Sequence, residues 1–448
     1  MARLEEHPTV QRRRERAASA PRLEPGEGIV LEAAWLRRIA LDAGADDVGF
    51  VEIDRPEIAD QRTDILRAFP HARTLVSFVR RMNRESLRTP QRSVANVEFH
   101  HTTDEVDEIG RRLVETLERR GVRALNPAAG FPMEMERFPG KVWVVSHKPV
   151  AAAAGLGRIG IHRNLIHPTF GSFVILGTVL VDASVDAYST PVDYNPCLEC
   201  KLCVAACPTG AIEPDGHFNF SSCYTHNYRE FMGGFTDWVE GVAQSGSAVE
   251  YRKRTSDAES ASMWQSLSFG ANYKAAYCLA VCPAGEDVIG PFLGDRKRFL
   301  KEVVRPLQGR RETIYVVPGS DAEEYVTRRL PHKAVKRVGN GLRPSSIAGF
   351  LGALPIAFQR HRARGLAATY HFTFTGEEER TATVVIRDET IHVQDGHEGT
   401  PDIRITAESR SWIAYLAKER HIAWLLLSRR LRIKGPPRLL VAFGRCFP

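Results

Sequence analysis

Four cysteines recur at short intervals in the run Cys197-Leu-Glu-Cys200-Lys-Leu-Cys203-Val-Ala-Ala-Cys207-Pro208. This C-x2-C-x2-C-x3-C-P spacing is typical of chains that hold cubane iron-sulfur clusters. The first three thiolates surround one cluster, whereas the following turn carries the fourth cysteine toward a second cluster. The run therefore predicts two 4Fe-4S-type clusters and a partner motif elsewhere in the chain.

The partner motif is Cys278-Leu-Ala-Val-Cys282-Pro283. The last cysteine of each motif is expected to bind the cluster of the other motif. The first cluster then has the ligands Cys197, Cys200, Cys203 and Cys282, and the second has Cys207, Cys223 and Cys278. The second set is one ligand short, because Ala275 stands where a complete second run would place a cysteine. A three-iron cluster, a non-cysteine ligand such as His226, or Cys446 folding back would each complete the site. A zinc site or buried structural thiols remain the alternative interpretation.

The composition is that of a globular chain. Of 448 residues, 43% are hydrophobic and 26% are charged, which argues against a mostly disordered or membrane-embedded protein. No window approaches the ~18 uncharged apolar residues of a membrane span, and no apolar segment follows the amino-terminal arginines as in a signal peptide. We therefore expect a cytoplasmic protein with reduced cysteines. The net charge of +7 is concentrated in local clusters, so nucleic acid is not the expected partner.

Hydrophobic periodicity divides the chain into successive segments. We expect a disordered tail at 1–28, a catalytic or cofactor domain at 29–190, a double-cluster domain at 191–300, a connecting segment at 301–342 and a carboxy-terminal module at 343–448. Alternating helical and strand patterns in 29–190 indicate an α/β fold class. Strands are predicted there at 47–53, Thr74 to Val79, Val142 to Ser146 and Phe173 to Val181.

Two segments ahead of the cysteines carry a resemblance to a known family. They are Ala154-Gly-Leu-Gly-Arg-Ile-Gly160 and Asn164-Leu-Ile-His-Pro-Thr-Phe-Gly-Ser172. With the cysteine set that follows, residues 29 to 300 resemble epoxyqueuosine reductases and reductive dehalogenases. The resemblance implies a nitroreductase-like α+β core, a bacterial ferredoxin-like domain with two 4Fe-4S clusters, and a bound cobalamin. It also implies that Gly155, Gly157 and Gly160 let the backbone approach that cofactor.

Two departures from the family concern its chemistry. Ile161 replaces the lysine that often follows the glycine loop in epoxyqueuosine reductases. The aspartate that serves as their proton donor has no clear counterpart in the segment Ser146-His-Lys-Pro149. His147 is the substitute that we expect, because an imidazole with a near-neutral pKa can donate a proton during a reductive step. Glu134 is a second candidate catalytic residue.

The last hundred residues show a second resemblance. Tyr370-His-Phe-Thr-Phe-Thr-Gly376, Thr383-Val-Val-Ile-Arg-Asp388 and Leu431-Arg-Ile-Lys-Gly435 are similar to segments of the sterol carrier protein type 2 domain. The resemblance implies an α+β lipid-binding domain at 343–448, whose apolar tunnel Trp412 and Trp424 would line. A simple packed core is the alternative, because the same apolar residues would fill it.

These features together predict an iron-sulfur enzyme, a reductase that delivers single electrons through two clusters to a corrinoid or directly to an apolar, lipid- or steroid-like substrate. Ferredoxin or flavodoxin is the expected electron donor. One alternative is a non-catalytic electron-transfer or lipid-carrier protein that serves a partner enzyme. A second alternative is a tRNA-modifying reductase of the epoxyqueuosine type. The sequence leaves the oligomeric state open.

Overall fold

The computed structural model describes residues 4–19 and 28–448. Within the tail that the sequence predicts as disordered, helix α1 spans Pro8–Ser19. The prediction differs there because Gln, Arg, Glu and Ala favour helix even without a buried face. Residues 1–3 and 20–27 of the predicted tail lie outside the described residues.

An antiparallel four-stranded sheet forms the centre of the next region. Its strand order is β2-β3-β7-β4, and every neighbouring pair is antiparallel. The region contains strands β1 (Val30–Leu31), β2 (Asp47–Glu52), β3 (Thr74–Arg81), β4 (Ala124–Leu125), β5 (Arg158–Ile159), β6 (Leu165–Ile166), β7 (Val174–Val181) and β8 (Ser184–Val185), and helices α2 (Ala33–Ala43), α3 (Ala59–Ala68), α4 (Arg84–Arg88), α5 (Arg92–Arg119) and α6 (His147–Ala153).

Helices cover both faces of this sheet. Alternate residues of β3 explain why: Val76 and Phe78 pack into the core formed with α2 and α5, whereas Leu75 and Val79 pack into the core formed with α3 and α6. A strand buried on both faces reads as a continuous apolar run, as β3 does. The mixed α/β prediction is confirmed at this level.

The strand predicted at Val142 to Ser146 does not form. Val142 and Val145 are buried, but the segment is an irregular loop that leads directly into α6. Apolar residues are therefore buried here without strand pairing. The strand prediction was wrong because the apolar pattern alone does not show whether a segment pairs with a neighbouring strand.

Short helices dominate the cysteine-rich region. They are α7 (Leu202–Ala206), α8 (Phe220–Asn227), α9 (Gly233–Ala243), α10 (Ala248–Arg254), α11 (Asp257–Phe269), α12 (Tyr277–Ala280), α13 (Gly290–Gly294), α14 (Arg296–Phe299) and α15 (Arg305–Gln308). A small β-α-β unit follows, in which β9 (Thr313–Val316) and β10 (Ala334–Arg337) are parallel and α16 (Asp321–Arg329) connects them.

The carboxy-terminal module is a five-stranded sheet of order β13-β12-β11-β14-β15. Its elements are α17 (Ile347–Ala357), β11 (Ala368–Thr375), β12 (Arg380–Arg387), β13 (Thr390–Asp395), β14 (Ile403–Glu408), α18 (Ser409–Leu416), α19 (Ile422–Leu427), β15 (Leu431–Lys434) and α20 (Pro437–Arg445). Phe350, Phe372, Phe374 and Trp412 pack together in its core.

One buried side chain joins this module to the rest of the chain. Oε1 of Gln359 accepts hydrogen bonds from Nδ2 of Asn219 at 3.3 Å and from the backbone N–H of Asp321 at 3.0 Å. Beside it, Nη1 of Arg360 contacts Glu213 at 3.2 Å and Asp215 at 2.5 Å. Among the residues that the structure describes, no helix is long and apolar enough to cross a membrane.

Candidate metal centres and the adjoining cleft

Both cysteine motifs use the same local conformation. Lys201 (φ 60°) adopts a left-handed backbone directly before α7, and Ala276 (φ 58°) does so directly before α12. Left-handed non-glycine residues are uncommon and energetically costly. Their recurrence at the same motif position shows that the two motifs are structural equivalents. In this correspondence Cys203 matches Cys278, and Ala275 occupies the place of Cys200.

The first cysteine set comprises Cys197, Cys200, Cys203 and Cys282. All four line one cavity, together with Ile161 and His162. Burial raises the pKa of the Cys282 thiol to about 11, and nearby Cys200 and Cys197 raise it further. Burial likewise raises the pKa of Cys203. Thiolates crowded in this way are stable only when a cation neutralises them, which is what a metal cluster does.

The second cysteine set comprises Cys207, Cys223 and Cys278. Burial raises the pKa of Cys278 to about 12, and Cys207 contributes to this increase. Cys223 has a raised pKa from burial and from Cys207 and Cys278. The structure therefore places Cys207 with the second motif and Cys282 with the first, in the crossed grouping that the sequence predicts. The two sets adjoin, because Cys278 also raises the pKa of Cys203.

The spacing of these thiols bears on the type of metal. Among the described residues, no three His, Cys, Asp or Glu side chains converge closely enough to hold one metal ion. A zinc ion needs four ligands within bonding distance of one centre. In a cubane each thiolate binds a different iron at a separate corner, so its cysteines stand further apart. The motif spacing, rather than the placement of these side chains, therefore carries the assignment to a cluster.

The structure places both side chains that were considered as a further ligand of the second set. Nδ1 of His226 accepts a hydrogen bond from the backbone N–H of Tyr315 at 3.4 Å, and its ring lies against the Tyr315 ring. Cys446 is buried in the core of the carboxy-terminal module, with Sγ 3.3 Å from the carbonyl of Ala442. Nε2 of His226 is buried and has no hydrogen-bond partner among the described residues, so His226 stays open as a ligand, whereas Cys446 is a buried thiol of the module. Ala275 is itself buried.

The three glycines of the loop pack against their own chain. A Cβ at Gly155 would meet the carbonyl oxygen of Thr190, and a Cβ at Gly157 would meet that of Ile166. At Gly160 the nearest atom would be the Ile166 side chain. The glycines are therefore accounted for by close packing within the chain. They therefore provide no evidence for a bound corrinoid, and the function proposed below does not depend on one.

The two predicted catalytic side chains lie apart from the cysteines. Nδ1 of His147 lies 2.9 Å from Oγ1 of Thr178, and Nε2 lies 3.1 Å from the carbonyl oxygen of Ala128. Burial lowers the pKa of this imidazole. A neutral histidine with both ring nitrogens engaged is a structural residue. Glu134 lies exposed on the loop before α6.

Sequence reasoning missed the neighbouring residue, Lys148. Its Nζ donates hydrogen bonds to the carbonyl oxygen of Arg163 at 2.9 Å and to Oδ1 of Asn164 at 3.0 Å. Burial lowers the pKa of this ammonium, while nearby Cys278 and Cys223 oppose that change. The side chain is nevertheless exposed, so Lys148 lies at the surface beside the second cysteine set. Adjacent helix positions point in different directions, so the sequence could not distinguish Lys148 from His147.

Aromatic residues form a continuous wall beside the second set. Tyr228 is close enough to Cys223 and Cys278 for both to raise its pKa, although burial is the larger cause. Its ring contacts those of Tyr273 (5.8 Å between centroids) and Phe231 (4.7 Å). Phe231 in turn contacts Phe131, which is largely exposed. This wall leads from the thiols to the surface.

Comparisons with protein families match two parts of the chain. Residues 190–213 match the 4Fe-4S binding domain, and residues 357–448 match the SCP-2 sterol transfer family. Curated relatives include the epoxyqueuosine reductases of Cellulophaga algicola (36% identity over 105 residues; 22% of this chain and 34% of the relative) and Aliivibrio fischeri (29% over 123 residues; 28% and 29%). The chain resembles epoxyqueuosine reductases and carries an SCP-2 domain. The expected combination of the two resemblances is confirmed.

The match to whole proteins is partial. The chain spans about a third of the length of the curated relatives it matches. Among solved structures, a reductive dehalogenase aligns with TM-score 0.40 and 15% identity over 64% of this chain and 37% of that one. An epoxyqueuosine reductase from Streptococcus thermophilus aligns with TM-score 0.32 and 17% identity over 60% and 74%. These values are too low to carry an argument about function.

Proposed function

We propose that this chain is an iron-sulfur reductase that passes single electrons from a small redox protein to an acceptor bound beside the second cysteine set. The proposal rests on the observation that the two cysteine sets are neighbours. Electrons could therefore enter at one cluster and leave from the other. Leu198, between Cys197 and Cys200, is exposed, so the first set lies near the surface. The second set lies beside Lys148 and the aromatic wall. An iron-sulfur cluster bound at each set would supply one-electron chemistry.

Lys148 is the residue that we propose as the proton source. Each electron added to an organic acceptor generates negative charge, which a positioned acid can neutralise. The Nζ of Lys148 holds a proton, has a pKa that burial lowers, and lies close to Cys278 and Cys223. The hydrogen bonds to Arg163 and Asn164 fix its position. Its positive charge also attracts electrons to the second set.

An apolar substrate suits this site. The wall formed by Tyr228, Tyr273, Phe231 and Phe131 offers ring surface and few hydrogen-bonding groups. The SCP-2 match adds a module of a sterol transfer family to the same chain. Trp412 is one of its buried residues, and its Nε1 has no hydrogen-bond partner among the described residues. An apolar ligand with one polar group would satisfy that donor. Trp424 lies outside the core and is exposed.

The finer features of the resemblance belong to the same proposal. They are a nitroreductase-like arrangement around the antiparallel sheet, a ferredoxin or flavodoxin as donor, and a cytoplasmic location. Modification of tRNA is the second candidate, since the curated relatives are epoxyqueuosine reductases. A tRNA substrate would be accompanied by binding that weakens steeply with salt.

The second cysteine set fits a three-iron cluster. Three thiolates would bind three irons of a cubane, and Ala275, at the motif position of Cys200, offers no further thiolate. Cys446 lies in the core of the carboxy-terminal module. We therefore expect about seven iron atoms per chain rather than about eight.

Anaerobic purification followed by iron, sulfide and cobalt analysis tests the proposal. Cys203→Ser and Cys223→Ser each remove one thiolate from one set, and Cys446→Ser is the matched control because Cys446 is buried outside both sets. We expect the first two variants to lose iron and the control to retain it. Reduction of the purified protein by dithionite should then change its visible and paramagnetic resonance spectra. A chain that holds no iron, or that loses it equally in all three variants, would refute the proposal.

A further inference from the structure

The end of the carboxy-terminal module carries a dense positive charge. Residues 418–448 contain eight Lys and Arg side chains and a single acidic one, Glu419. Arg430 pairs with Glu408 at 3.1 Å. Among the described residues, no carboxylate forms an ion pair with the other seven basic side chains of this stretch: Lys418, Arg420, Arg429, Arg432, Lys434, Arg438 and Arg445. This charge is therefore available to an external partner.

Helix α19 adds exposed apolar side chains to the same segment. Leu425 faces the core and is buried, whereas Leu426 is 43% exposed and Leu427 is 85% exposed. Contact of the Leu427 side chain with water is unfavourable in free energy, and packing within the chain does not remove it. Exposed leucines next to an excess of basic side chains indicate a surface that meets a partner.

Arginines surround the apolar tip directly. The guanidinium groups of Arg420 and Arg430 lie over the ring of Trp424 at 4.7 Å and 5.6 Å from its centroid. Arg429, with φ 58°, follows α19 at the turn into β15. The tip thus combines a tryptophan, two leucines and three arginines within eleven consecutive residues of sequence.

We infer that α19 and its arginines form a docking surface for a membrane that contains anionic lipids. Leucine side chains enter the boundary between headgroups and acyl chains, tryptophan favours the interface, and basic side chains contact anionic headgroups. A second copy of the chain would bring two strongly positive surfaces together, which like-charge repulsion opposes. Nucleic acid would contact the arginines but has no use for exposed aliphatic side chains, since RNA recognition relies on stacking with rings.

Membrane docking goes beyond the proposed reductase and does not depend on it. It would bring the SCP-2 domain to a source of apolar molecules. Membrane binding by this surface requires neither iron nor electron transfer. The chain could therefore hold iron without binding membranes, or bind membranes without holding iron.

Sedimentation with vesicles tests the inference on the full chain. Vesicles of phosphatidylcholine alone are compared with vesicles that also contain phosphatidylserine. We expect binding to the second kind only, weakening as salt is added. Leu426→Ser/Leu427→Ser should bind at least about tenfold more weakly. Arg429→Gln/Arg432→Gln should bind about thirtyfold more weakly, from about 1 kcal/mol per charge at an anionic surface.

Two control variants match these changes elsewhere on the surface. Leu293→Ser replaces an exposed leucine of α13, and Arg305→Gln/Arg311→Gln removes two exposed arginines. Both should bind like the wild type, and circular dichroism and iron content should be equal in all variants. The inference is overturned by absence of binding to phosphatidylserine vesicles, by equal binding to neutral vesicles, or by unchanged binding of the leucine variant. Binding to an RNA hairpin that exceeds binding to vesicles would also overturn it.

Discussion

Lys148 is linked to Cys278 through a single amide side chain. Its Nζ donates a 3.0 Å hydrogen bond to Oδ1 of Asn164, and Nδ2 of the same Asn164 lies 3.9 Å from Sγ of Cys278. The amide can therefore donate a weak hydrogen bond to the sulfur while the ammonium fixes its orientation. Hydrogen bonds and positive charge next to cluster sulfurs both raise the reduction potential.

We predict that Lys148→Met lowers the potential of the second centre. Removing a positive charge destabilises the reduced, more negative form by roughly a few tens of millivolts at the effective dielectric of such sites. Lys148→Arg keeps the charge and should retain most of the potential. Redox titration followed by paramagnetic resonance measures both variants. Equal potentials in wild type and Lys148→Met would show that the ammonium does not act on the centre, whatever happens to turnover.

The cysteine grouping could be predicted from the sequence because motif spacing constrains the covalent chain directly. The fourth position could not, since the sequence does not show which side chains approach the second set. The roles of His147 and Lys148 could not be distinguished for a related reason. The two are neighbours in sequence, but His147 lies within hydrogen-bond distance of Thr178 and Lys148 lies at the surface beside the second set. The fold class followed from periodicity, whereas the antiparallel order of the sheet depends on pairing between distant strands.

Ala275→Cys should complete the second cysteine set. Ala275 occupies the motif position of Cys200, directly before the left-handed Ala276, so the added thiol replaces a buried methyl group at the vacant corner. We expect iron to rise from about seven to about eight atoms per chain, with loss of the paramagnetic signal of an oxidised three-iron cluster. Ala276→Cys, one residue further on, is the matched control and should leave the iron content unchanged. An Ala275→Cys variant with unaltered iron and spectrum would mean that the corner already has a ligand.

Protonation of His226 should destabilise the fold in mild acid. Burial lowers the pKa of this imidazole from 6.5 to about 4, so below pH 6.5 the unfolded chain binds a proton that the folded chain does not. Stability is therefore full above pH 6.5 and falls as the pH drops toward 4, by at most about 3 kcal/mol. His226→Phe should flatten this dependence and keep the ring contact with Tyr315. Melting temperatures of both proteins between pH 4 and 7 measure it. Parallel curves would assign the acid sensitivity to other groups.

Gln359→Leu should uncouple the carboxy-terminal module from the rest of the chain. Gln359 is fully buried, and its Oε1 accepts from both Asn219 and the backbone of Asp321. Leucine fills a similar volume but leaves those two donors unsatisfied, at about 1–3 kcal/mol each. We expect calorimetry to show the module unfolding at a lower temperature than in the wild type, with easier proteolysis between 340 and 360. Gln394→Leu, at an exposed position of β13, controls for the substitution itself. If both variants unfold like the wild type, the hydrogen bonds of Gln359 do not hold the module in place. The ion pairs of Arg360 with Glu213 and Asp215 would then be the interaction that does.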